Sequence, residues 1–195
     1  SGEVQLVQSS TAQVEPVAPE KVLAGFNHEW QTWNNCGPAT VSMNLSYFGQ
    51  PDTQVEAAQF LKPNKNDKNV SPTELLAYAR SKGYDGLVGQ GGNTTQLKHL
   101  LSNGLPVIVE FWTEHEDAGG MGHYRLLTGF NQAENVFIAQ DSLHGSGIKV
   151  PVDSFDNDWQ AFNRAFMLAY PPDKSGVAHA VLGHTGDQRL MLEQA

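Results

Sequence analysis

Apolar residues recur at helical spacing through Val41, Leu45 and Phe48, with Met43 and Tyr47 as a second pair and Gly49 as a stop. This spacing predicts a helix over residues 37–48, with Pro38 in a first turn where a missing N–H removes no intrahelical bond. A short second helix is expected over 53–61, followed by a polar Asn- and Lys-rich loop over 62–70. Ser71, Pro72 and Glu74 form a capping-box signature ahead of Leu75, Leu76, Tyr78 and Ala79, with Gly83 beyond the end. A fourth helix is expected from about 95 to 102, with Asn93 and Gln96 spaced as a further capping box and Gly104 past the last turn.

The texture then changes. Residues 106–112, 123–130, 135–141 and 164–170 are rich in β-branched and aromatic side chains and bounded by turn formers, so they read as strands. Between the first two lie residues 113–122, with glycines at 119, 120 and 122, which read as a mobile Gly-rich lid. Helices first and an antiparallel sheet second give an α+β order.

With 195 residues and 39% hydrophobic content, the chain suits one core and is short for two ordinary domains. Residues 1–25 read as an extended linker, 26–172 as the domain and 173–195 as a C-terminal tail in which 187–195 could begin a helix. Trp30 and Trp33 flank Gln31 and are candidates for a groove wall or for the core, whereas Trp112 is expected in the core. The charge excess, 21 acidic against 12 basic residues for a net −9, disfavours nucleic acid and anionic lipid as partners. No stretch has the apolar length of a membrane span. The start at Ser1-Gly2 rather than Met reads as a tag scar or a processed start, so a signal peptide or anchor could have been removed, as in a secreted or surface-anchored protein.

Cys36 is the only cysteine, and it stands at the predicted start of the first helix. A lone cysteine is more often a small buried hydrophobe than a reagent. At a helix N-terminus, however, unpaired N–H groups and the positive end of the dipole favour the thiolate. Such a nucleophile needs a base and a group to orient the base. His123 opens a strand after the glycine loop, and a three-residue hairpin connection pairing 130 with 134 would set it directly opposite Asp141. Gln31, upstream of Cys36, can supply a side-chain amide to an oxyanion hole. His115, Glu116, Asp117 and His123 could alternatively be read as metal ligands, but their spacing matches no HExxH-type pattern, and no metal or organic cofactor is expected.

The segments Gln31…Asn35-Cys36-Gly37-Pro38-Ala39, Gly104-x-Pro106-Val107-Ile108-Val109, Gly122-His123-Tyr124 with Thr128-Gly129-Phe130, and Asp141-Ser142 together resemble the double-glycine, bacteriocin-processing cysteine peptidases of the papain-like superfamily. The resemblance spans roughly residues 26–170 and keeps the motifs in family order. It implies a papain-like fold, with an N-terminal helical half packed on a C-terminal antiparallel sheet. It also implies Cys36 as nucleophile, His123 as base then acid, Asp141 as its orienter and Gln31 in the oxyanion hole. Gln31 stands one residue nearer the cysteine than in the transporter-fused peptidases, and Asn35 replaces their usual Asp. The chain therefore looks like the stand-alone branch, acting on a peptide or protein substrate through a thioester. Papain-like acyl or amide transfer, and a non-catalytic peptide-binding module on the same scaffold, are the rival readings.

Overall fold

The computed structural model describes residues 12–64, 69–115 and 119–183. The elements follow in the order β1 (Glu20–Val22), α1 (Cys36–Ser46), α2 (Gln54–Leu61), α3 (Pro72–Ser81), β2 (Asp85–Gly89), α4 (Thr94–Ser102), β3 (Val107–His115), β4 (Gly119–Asn131), β5 (Val136–Asp141), β6 (Gly145–Pro151), α5 (Val152–Trp159), β7 (Phe166–Tyr170) and α6 (Ser175–Gly183). The strands form a seven-stranded sheet of order β2-β7-β3-β4-β5-β6, with β1 also pairing β4, and every pairing is antiparallel.

The local signals act as chemistry demands. Ser71 accepts from the Glu74 N–H while the Glu74 carboxylate accepts from the Ser71 N–H, and Thr53 and Glu56 form the same reciprocal pair at α2. Asn93 accepts from the Gln96 N–H at the start of α4.

Alternation along β3 sorts side chains between two cores. Val107, Val109 and Phe111 join Leu97, Leu100, Phe155, Trp159 and Val181 from α4, α5 and α6. Ile108 joins Val41, Leu75, Tyr78, Tyr124 and Leu126, most of them from α1 and α3. The sheet is thus covered by helices on both faces. Helix α1 is buried from Gly37 to Leu45, polar residues included, and Asn44 Nδ2 donates to the Ala169 carbonyl of β7 at 3.0 Å. That burial locks the helix whose first residue is Cys36.

Several expectations need correction. The Gly-rich segment is not a lid where it is described: Thr113–His115 pairs with Gly119–Met121 as the outer end of the β3–β4 hairpin. Trp112, expected in the core, is 43% exposed and lies across Gly120, where a Cβ would meet its ring at 2.0 Å. Residues 12–25, read as a linker, lie against the domain: β1 pairs with β4, Leu23 is buried, and the Glu15 N–H donates to Asn103 Oδ1 at 2.8 Å. In the C-terminal tail, Ala178, Val181 and Leu182 of α6 are buried, while the candidate helix over 187–195 lies outside the described residues. Strands β2 and β6 and helix α5 were not expected at all; β2 carries two glycines in five residues, which weakens any strand signal. Among the described residues no helix is long and apolar enough to cross a membrane.

Candidate active site

Cys36 begins α1, whose N-terminus is left open. The N-cap Asn35 makes no side-chain capping bond and the first turn holds no acidic residue, so N–H donors remain for whatever forms at the sulfur. The Asn35 amide turns away instead, donating to Thr32 Oγ1 at 2.8 Å. The loop before the cysteine is pinned from α2: Gln54 Oε1 accepts from the Thr32 N–H at 2.9 Å, and its Nε2 donates to the Trp30 carbonyl at 2.8 Å. Sequence reasoning missed Gln54 because it is distant along the chain and carries no motif.

His123 on β4 is fully buried, with Nε2 3.0 Å from Asp141 Oδ1 at the end of β5. Among the described residues its Nδ1 meets no well-aligned hydrogen-bond partner, although the Cys36 thiol is close enough to act on the ring. Burial opposes charge on this ring, but the Asp141 hydrogen bond, the neighbouring Cys36 thiol and the charges of both outweigh it, and the pKa rises to about 9. Asp141 is driven the other way. Burial raises its pKa, yet the His123 bond, the charges of His123 and Arg125 and the Leu143 N–H hold it well below the ordinary carboxylate range.

The expected hairpin register is wrong, and the way it is wrong is informative. The connection spans residues 132–135, so Asn131 pairs with Val136 and Phe130 with Phe137. Carried straight on, that even-length turn would set Asp141 opposite Leu126, on the face away from His123. A bulge between Leu127 and Gly129 shifts the register so that Leu127 pairs with Ala139 and Leu126 with Gln140. Continuing that register places Arg125 opposite Asp141 and His123 diagonally beyond it on the same face. Arg125 Nε accordingly lies 2.7 Å from Asp141 Oδ2, and its guanidinium rests 4.3 Å from the centre of the Phe111 ring. Arg125 was missed by the sequence reading, and only the register reveals it.

Gln31 and Cys36 line one cleft of about 660 Å³, whose other walls include Val70, Glu110, Gly122, Tyr124 and Phe162. Ser142 Oγ donates to Gln31 Oε1 at 2.7 Å, and the Gln31 N–H donates to the Ser142 carbonyl at 3.0 Å. With Oε1 as the acceptor of this bond, Nε2 is left as the donor end. Tyr124 Oη donates to the Val70 carbonyl at 2.6 Å, tying the loop before α3 to β4 across the cleft. Trp30 and Trp33 are exposed and do not line it.

Of the candidate metal ligands, Glu116 and Asp117 lie outside the described residues. Among the described residues, His123, Asp141 and His144 bring ligand-capable atoms within 4.8 Å of one another. The Asp141 carboxylate is already engaged, because Oδ1 also accepts from the Leu143 and His144 N–H groups at 2.8 and 3.0 Å. Such saturation suits an orienting carboxylate better than a metal ligand.

A family model described as "Peptidase_C39 like family" matches residues 18–167. The chain belongs to this family. It is a cysteine peptidase with an α+β, papain-like fold. Among solved structures, a C39-like peptidase from Bacillus anthracis aligns with a TM-score of 0.63 at 17% identity, over 77% of this chain and 96% of its own. The peptidase domain of Streptococcus ComA, a bifunctional ABC transporter of a quorum-sensing pathway, aligns with 0.59 at 16%, over 76% and 99%. A double-glycine-motif protease from an AMS/PCAT transporter, solved in complex with a leader peptide, aligns with 0.57 at 18%, over 78% and 98%. At these identities the likeness is one of fold. No curated protein sequence matches the chain.

Proposed function

We propose that this peptidase works through Cys36 as nucleophile, His123 as proton carrier, Asp141 as the group that orients His123, and Gln31 as an oxyanion donor. The observation that carries the reading is the His123 ring. One nitrogen is bonded to a buried carboxylate, the other has no well-aligned partner among the described residues, and the Cys36 thiol is near enough to raise its pKa.

The thiolate of Cys36 adds to the scissile carbonyl carbon, and negative charge moves to the carbonyl oxygen. N–H groups at the open start of α1 and the Gln31 amide stabilise that charge. The proton on His123 Nδ1 passes to the leaving nitrogen, the C–N bond breaks, and a thioester to Cys36 remains. Water then gives a proton to the neutral ring as its oxygen attacks the thioester, the C–S bond breaks, and the imidazolium is restored. A peptide substrate fits the cleft, and the similar AMS/PCAT protease is seen holding a leader peptide.

Labelling with a fluorescent, carbonyl-directed thiol probe tests the assignment. Wild type should label rapidly, Cys36→Ala not at all, and His123→Ala slowly. Equal rates for wild type and His123→Ala would overturn it. Cleavage mapped on a proteome-derived peptide library then gives the substrate sequence.

A further inference from the structure

The cleft holds a carboxylate to which the proposed chemistry assigns no role. Glu110 pairs with Tyr124 in the β3–β4 ladder, and both residues line the cleft beside Cys36. Its carboxylate lies against Gly122, the residue before His123: a Cβ there would meet Glu110 Oε1 at 3.2 Å and the Phe162 ring at 2.8 Å. The absent side chain is what lets an acid and an aromatic ring close together on the floor next to the reacting centre.

Among the described residues no lysine or arginine lines this cleft, and its other carboxylate, Glu74, accepts through Oε2 from the Ser71 N–H as part of the α3 cap. Glu110 is half-buried, and burial pushes its pKa up to about 7. A carboxylate partly stripped of water and with no described cation beside it takes up a proton or draws a cation from outside the fold. In a peptide-binding cleft that cation is a side chain of the substrate.

We propose that Glu110 is a specificity residue that accepts a lysine or arginine side chain close to the scissile bond, so that the preferred substrates are basic peptides. The proposal rests on the reading of this cleft as the peptidase site. The Phe162 and Tyr124 rings suit the aliphatic stem of such a side chain while the carboxylate takes its charged end. The net charge of −9 adds a long-range attraction of the same sign.

The test is a positional-scanning fluorogenic peptide library cleaved by wild type, Glu110→Gln and Glu110→Lys, read alongside alkylation of Cys36 by iodoacetamide. Wild type should prefer Lys or Arg over norleucine at one position by about tenfold or more in kcat/KM. Glu110→Gln should lose that preference, and Glu110→Lys should shift it towards Asp or Glu. Cleavage and alkylation without a basic preference in wild type, or a preference that survives in Glu110→Gln, would overturn the proposal alone. Absence of both cleavage and rapid alkylation in wild type would overturn the peptidase site and this proposal with it.

Discussion

His123 Nε2 meets Asp141 Oδ1 at 3.0 Å although the two residues are diagonal rather than opposite neighbours in the β4–β5 ladder. Arg125, which the same register carried one pair further sets opposite Asp141, holds the second carboxylate oxygen at 2.7 Å. Asp141 is thus fixed from both sides. One carboxylate answers a buried imidazole and a buried guanidinium, so its orientation cannot change without stranding a charge.

That arrangement gives Arg125 a measurable role. Replacing it by methionine leaves Asp141 with one fewer cation in a buried place and should cost about 3–5 kcal/mol of stability. With the guanidinium gone, its repulsion of the imidazolium and its hold on Asp141 both vanish, so the His123 pKa should rise. Urea unfolding and the alkaline limb of the pH–rate profile check the two effects; a limb that moves down would contradict the coupling.

The pH dependence has a definite sign. The folded His123 ring has a pKa of about 9 against 6.5 for the free side chain. Its protonated form therefore stabilises the fold fully below 6.5, and that stability is lost as pH rises towards 9. Acid catalysis by the ring should fall over the alkaline part of the same window, giving a limb in kcat/KM near pH 9. Asp141→Asn removes the anion that raises the pKa, so the limb should move down and the rate fall by about 10²–10⁴-fold.

The bulge before Gly129 makes a different prediction. A Cβ on Gly129 would sit 2.4 Å from the Lys21 carbonyl of β1, so in Gly129→Ala one of the two strands must shift, and β1, the short edge strand, is the one expected to. We expect a loss of about 1–3 kcal/mol and faster hydrogen exchange at Glu20–Val22, measured by denaturant unfolding and mass spectrometry. Unchanged exchange in β1 would show that β4 yields instead.

These residues show what the chain discloses before folding and what it does not. Cys36 before an apolar-periodic helix, Ser71 with Glu74, and the strand texture of 106–112 are local signals; α1 and α3 begin where spacing puts them, and the strand runs Val107–His115. Cys36, His123, Asp141 and Gln31 stood out in the sequence because each answers one demand of a single chemistry, and the structure brings Gln31 and Cys36 to one cleft and His123 to Asp141. Register was not legible, because an even turn and a one-residue bulge compensate and neither marks itself in sequence. Arg125 and Gln54 stayed hidden because each matters through a partner that only strand pairing or helix packing brings near.

Ser142 supplies the most discriminating mutation. Its hydroxyl donates to Gln31 Oε1 at 2.7 Å, which leaves Nε2 as the end able to donate to an oxyanion. Gln31→Ala removes that donor and should lower kcat by about 10²–10³-fold with little change in KM, because the bond matters only once charge develops. Ser142→Ala keeps the donor but frees the amide to rotate, so it should lower kcat by less, again with KM nearly constant. If Ser142 acts only through Gln31, adding Ser142→Ala to Gln31→Ala should cost nothing further. Full additivity of the two losses would mean that Ser142 acts on the site by another route, and equal loss of KM and kcat would place Gln31 in ground-state binding instead.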